Sequence, residues 1–303
     1  MDLIIPHIPM NVTSNNIAAS SEPLWAVGTA YTTGDVVRYT PAGSTYEHEF
    51  KAKQDHTGQT PIARGSVYWI DLGTTNQNRL FDGLNNSRSV ADDPSGNIEV
   101  EIVLSKRVQT LHLLGLRDVE SATVTQSVDG VVMHTHTSTL ATSTTPVGFW
   151  SWLFGERVFA SSYAVRLAGV YKNQTINVTL TGVPNAQCAQ VLIGNSFYIG
   201  CTETGASPRL QSFSGFTPND FGVYQFTPRQ STRQGRYTVW VDTNRIDYVY
   251  QLMERYEQNL VLLDANNAST NFDALRAYGK IVDFSPGITY DQTAFDIRIE
   301  GLH

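Results

Sequence analysis

Hydrophobic and polar positions alternate along most of the chain. Residues 98–104 (Ile-Glu-Val-Glu-Ile-Val-Leu) begin with strict alternation, residues 111–116 are almost wholly apolar, and 124–128, 164–167, 176–180 and 190–193 continue the series. A period of two places every second side chain on one face of a strand, so each run predicts a β-strand. Asp129-Gly130, Asn173 and Pro184-Asn185 stand between the runs as turn residues, a rhythm that predicts a β-sandwich over residues 75–202. Gly194-Asn195 predicts a hairpin turn joining 191–193 to 197–199.

The pattern changes at both ends. Residues 1–21 hold two isolated apolar runs, prolines and a polar Asn-Val-Thr-Ser-Asn-Asn stretch, and read as an extended N-terminal arm. In residues 22–74 aromatics alternate with Gly, Pro and Asp turn signals, which predicts a small β domain held by ring burial. In residues 203–303 Ile246, Val249, Tyr250, Met253 and Tyr256 recur at helical spacing after Thr243-Asn244, either of which can cap a helix. Strands are predicted at 237–241, 260–263, 277–284 and 295–299, giving an α+β subdomain with one helix on an antiparallel sheet. The fold class expected is therefore mainly β.

Composition narrows the chemistry. A chain of 303 residues suggests roughly two domains or more. Only 16% of residues are charged and the net charge is −7, which argues against the clustered Lys and Arg that a nucleic acid requires. The first residues carry no positively charged leader, and no apolar run nears the ~20 residues that cross a bilayer, so neither a secretory signal nor membrane insertion is expected. Cys188 and Cys201 are too few for a disulfide scaffold or a cysteine zinc site. They are read as buried free thiols, with a single bridge across the predicted hairpin as the other reading.

Trp25, Tyr31, Gly34-Asp35-Val36-Val37, Tyr46-Glu47, Pro61 and Trp69 occur in an order that resembles the small chitin-binding modules of bacterial chitinases. Further on, Thr75-Asn76, Phe81-Asp82-Gly83, Leu113-Leu114-Gly115-Leu116, Phe149-Trp150-Ser151-Trp152 and Ile299-Glu300-Gly301-Leu302 resemble a family of tail-associated proteins of phages and prophages of Gram-negative bacteria. Residues 80–200 are also similar, at the level of fold, to galactose-binding, discoidin-type sandwiches. These resemblances imply a structural component of the distal tail or baseplate that assembles into a symmetric oligomer and contacts other tail proteins, with host surface polysaccharide as a further contact. They place the chain in the virion after synthesis in the host cytoplasm. The alternative they leave open is a receptor-binding adhesin.

Sugars stack an apolar ring face on Trp or Tyr, which makes Trp25, Tyr31, Tyr46, Tyr68 and Trp69 the candidate carbohydrate-binding residues. A domain this small also needs rings for its core, so each has a buried reading beside the binding one. The run 149–154 (Phe-Trp-Ser-Trp-Leu-Phe) is either a buried corner, the reading favoured, or an exposed interface patch. His134 and His136 share a strand face, but no third ligand is near in sequence, so no metal is expected. No Gly-x-Ser-x-Gly elbow, His-Glu-x-x-His or phosphate loop occurs, and the expectation is a non-enzymatic protein without cofactor.

Overall fold

The computed structural model describes residues 1–6, 10–83, 87–142, 148–154, 158–169, 171–203, 206–218, 222–227, 231–266, 272–287 and 292–302. The chain is mainly β, with curled antiparallel sheets and, among the described residues, one helix longer than two turns, Ile246–Tyr256. No helix among the described residues is long and apolar enough to cross a membrane. Two compact units form, one from residues 7–192 and one from 1–6 with 193–303.

In the unit 7–192 the largest sheet orders Val131–Thr139, Arg117–Val128, Gln174–Cys188, Ile98–Leu104 and Asn11–Asn15 side by side. Register explains its stability. Ile98, Val100 and Ile102 lie opposite Leu180, Val178 and Ile176, which in turn lie opposite Ala122, Val124 and Gln126, so one face is a continuous buried layer. Gln126 completes that layer because its amide donates to Gln174 at 2.6 Å. The outer face carries Thr, Glu and Asn, with Thr123 and Thr137 hydroxyls 3.1 Å apart across strands. Asp129 and Gly130 turn the hairpin with positive φ values of 50° and 79°.

Residues 22–74 form the small β domain within this unit. Val36–Tyr39, His48–Ala52 and Trp69–Thr74 make a three-stranded sheet, and Ala30–Tyr31 pairs with His56–Thr57. The Gly34-Asp35 turn is built by a carboxylate: Asp35 accepts from the Thr32 amide at 2.7 Å and hydroxyl at 3.1 Å, while Gly34 takes φ +103°.

The unit 1–6/193–303 holds an antiparallel sheet in the order 193–198, Asp2–Pro6, Leu260–Asp264, Arg276–Gly287, Gln292–Gly301, Ser231–Asp242, with Cys201–Thr202 and Ser207–Ser212 on the last of these. The helix buries Val249, Leu252 and Met253 in the same core as Tyr237, Val239, Val261, Phe295 and Ile297.

Several expectations need correction. The predicted arm is not free: Asp2–Pro6 lies between two strands, and Asn11–Asn15 pairs with Ile98–Leu104, because its apolar residues Leu3 and Ile4 are fully buried there. Gly194-Asn195 is no turn but the middle of the strand Gln190–Tyr198, opposite Pro6 and Ile5. Glycine is needed at 194 because a Cβ would meet the Ile5 carbonyl oxygen at 2.1 Å. Pro184-Asn185 likewise falls inside Gln174–Cys188, where pairing with Arg117–Val128 is irregular. The helix has no side-chain cap from Thr243 or Asn244, which form a 3-10 turn instead, and Tyr250 is exposed while Leu252 takes its place in the core. Both cysteines are free, so the single-bridge reading fails, and the buried reading holds for Cys188 but not for Cys201, which is exposed.

Candidate functional site

Two of the five candidate carbohydrate rings are core residues. Trp69 is 1% exposed and Tyr31 6%, and they meet edge to face at 5.3 Å above Val37, Phe50 and Ala52. Each has its polar tip bonded inward: Trp69 Nε1 donates to the Gln59 carbonyl at 2.8 Å, and the Tyr31 hydroxyl accepts from the Ala26 amide at 2.8 Å. Neither ring has a free face for a sugar, which corrects their assignment as stacking residues. Core demand in a small domain is the physical reason.

Trp25 and Tyr68 pack partly buried against that core, Trp25 edge to face with Tyr39 at 5.4 Å and Tyr68 with His56 at 5.3 Å. Tyr46 is half-buried, its hydroxyl 3.4 Å from the Met10 amide, and burial raises its pKa above the usual phenol value. The five rings therefore do not form a coplanar stacking platform. His56, not singled out from sequence, sits among Tyr31, Tyr68 and Trp69 with centroid separations of 5.7, 5.3 and 4.6 Å.

The same domain holds a constellation that no sequence motif announced. Ser44 Oγ lies 3.2 Å from His48 Nε2, and His48 Nδ1 lies 3.0 Å from Asp71 Oδ1. These are the groups of a hydrolytic triad in the order such a triad needs. The serine proton, however, is directed to the Tyr46 carbonyl at 3.0 Å, and the Tyr46 amide donates to the same hydroxyl at 3.1 Å. This hydroxyl caps a turn, and attack on a carbonyl would require its proton to move onto Nε2. Positions 44, 48 and 71 come from a turn and two paired strands, so only register brings them together.

The motif Phe81-Asp82-Gly83 is structural. Asp82 accepts from the Thr74 hydroxyl at 2.7 Å and from Gln190 Nε2 at 3.0 Å, and Gln190 Oε1 accepts from the Gly83 amide at 3.0 Å, all in buried surroundings. Such a satisfied network ties the segment 74–83 to the first residue of the strand Gln190–Tyr198. His134 and His136 lie opposite Gln126 and Val124, so they extend the inner face at the sheet edge and are half-buried, with centroids 4.2 Å apart. Among the described residues no group of three or more His, Cys, Asp or Glu side chains could hold a metal.

Two aromatic clusters are displayed. The run Phe149–Phe154 is a short helix in which Phe149, Trp150 and Phe154 are 63, 70 and 75% exposed, so the favoured buried corner is overturned. Trp150 and Phe154 stack on each other, nearly parallel, at 5.9 Å. A pattern of single residues could not tell this from burial, because a six-residue helix offers too little length for a second face to show. The side chain of Trp152 lies outside the described residues. The second cluster was not anticipated. Gly215–Pro218 and Tyr224–Thr227 form a two-stranded ribbon in which Phe216 faces Phe226 across the pair and stacks on Tyr224 at 4.6 Å. These three rings share one face and are 64, 60 and 61% exposed. Comparison of the chain with protein-family models, characterised proteins and solved structures finds no match.

Proposed function

We propose that the chain is a non-enzymatic structural protein of a bacteriophage tail, in the distal tail or baseplate region, that assembles into a symmetric oligomer. The observation that supports this most is the ribbon 215–227, whose three aromatic rings lie on one face and are displayed to solvent. A two-stranded ribbon is marginal by itself, and a contiguous aromatic face on it marks a surface that another protein covers. The exposed rings of Phe149–Phe154 supply a second such surface. The resemblance of residues 75–302 to tail-associated proteins gives these surfaces their context.

Partners on this reading are further copies of the chain and neighbouring tail proteins. Host polysaccharide is a secondary contact through the partly exposed Trp25 and Tyr68, since Tyr31 and Trp69 are enclosed. Sedimentation of the purified chain, with peptide mapping of purified virions, tests the assignment. Oligomers that dissociate when Phe216 and Tyr224 are both replaced by Ser, and peptides of this chain in the particle, are the expected results. A monomer at all concentrations together with absence from virions would end the reading.

A further inference from the structure

The solvent face of the sheet in the unit 1–6/193–303 carries a groove of about 480 Å³. Its floor follows from register. Arg236 lies directly opposite Arg298 across the pair Ser231–Asp242 and Gln292–Gly301, with Ser207 beyond Arg236 and Asp283 beyond Arg298. Alternation makes them neighbours on one face, because Tyr237 and Ile297, the next positions, point into the core.

Two guanidinium groups opposite each other on adjacent strands destabilise a sheet. Each is only partly compensated here: Arg236 pairs with Asp296 at 3.2 Å, and Arg298 with Glu300 at 3.5 Å, all four side chains at least 43% exposed. Ion pairs that open to water contribute little. Arg209, one row away opposite Gln234, also lines the groove and makes no ion pair among the described residues. Three arginines thus converge on a groove in a chain whose net charge is −7. Arginine grips carboxylate or phosphate with paired N–H donors, which lysine cannot do. Around the arginines stand Asp283, Asp296, Gln234 and Ser285, groups that accept from or donate to hydroxyls.

We propose that this groove binds an acidic saccharide, with the anionic group held by Arg209, Arg236 and Arg298 and the ring hydroxyls held by the neighbouring carboxylates and Gln234. A ligand anion placed between Arg236 and Arg298 offsets the repulsion between the two guanidinium groups. The site is separate from the small β domain and does not depend on the tail assignment, since it is a property of the isolated chain.

Calorimetric titration of the full chain at low salt tests it with three probes: trigalacturonic acid, its trimethyl ester and glucose 6-phosphate. Trigalacturonic acid is expected to bind at least ten-fold more tightly than the ester, which keeps the same ring hydroxyls without the charge. Arg298→Gln and Arg209→Gln are each expected to weaken binding at least ten-fold, while the ligand-free Arg298→Gln protein melts no lower than the parent. Binding of glucose 6-phosphate without trigalacturonic acid supports the site and assigns phosphate as the anion, and the reverse pattern assigns carboxylate. Measurable binding of acid and ester with equal affinity, no binding of either acid by folded protein, or unchanged binding in both variants would overturn the proposal. Should Arg298→Gln fail to fold, the exposed Arg209→Gln substitution decides alone.

Discussion

Two regions of this chain are rich in aromatics and use them in opposite ways. In residues 22–74 the rings point inward: Tyr31, Phe50 and Trp69 are buried, and the polar atoms of Tyr31 and Trp69 are bonded to nearby backbone. In residues 213–226 the rings point outward, with Phe213, Phe216, Tyr224 and Phe226 all at least half exposed. The difference lies in what flanks each strand. A three-stranded sheet with crossing loops closes over one face, whereas a two-stranded ribbon has nothing to close with. Aromatic density therefore marks a fold-determining core in one place and a contact surface in the other.

Removing an enclosed ring should have the largest effect. Trp69→Ala is expected to cost about 3–5 kcal/mol, the range for emptying a large buried ring site, and to melt the small domain before the rest. Differential scanning calorimetry would show an early transition, and an unchanged thermogram would mean that the ring is not structural. Asp82→Ala should cost about 1–3 kcal/mol, because the Thr74 hydroxyl and the Gln190 amide lose a buried acceptor. A denaturant midpoint equal to the parent's would show that the network is dispensable.

Enclosure also sets the alkaline limit. Burial pushes the Cys188 thiol up to about 12 and the Tyr237 phenol up to about 12. Between about pH 9 and 12 the unfolded chain releases protons that the folded chain keeps, so this part of the stability is full below that window and is lost as pH rises through it. Urea midpoints at pH 8 and pH 10.5 should fall in that order, and a rise would contradict the burial. Thiol labelling at pH 8 should modify Cys201 and spare Cys188 until the protein is denatured. The smallest effect is expected on the displayed side. Phe216→Ser with Tyr224→Ser should change monomer stability by no more than roughly 0.5 kcal/mol for each residue while reducing self-association.

Much of the fold was legible in the sequence, and what was hidden has a common cause. The strands at 98–104, 176–180 and 237–241 were readable because one face is buried and the other wet, so alternation survives in the residues themselves. Gly194-Asn195 misled because glycine serves both tight turns and close backbone approach, and only the partner strand Asp2–Pro6 tells which. The arm misled for the same reason, since five residues carry too little pattern to announce a strand flanked on both sides. For the candidate site, the rings Trp25, Tyr31, Tyr46, Tyr68 and Trp69 were visible but their direction was not. The Ser44–His48–Asp71 cluster depends on the pairing of His48–Ala52 with Trp69–Thr74, and the arginine row on that of Ser231–Asp242 with Gln292–Gly301, which no local spacing encodes.

The position of Asp2–Pro6 has a kinetic consequence. This strand is made early, yet its two neighbours, 194–198 and Leu260–Asp264, come from the far half of the chain. Long loops must close before those pairings return any stabilisation, and such topologies fold slowly. During synthesis Leu3, Ile4 and Ile5 remain without their native cover until the ribosome has passed residue 264, which leaves an apolar stretch unpaired for most of translation.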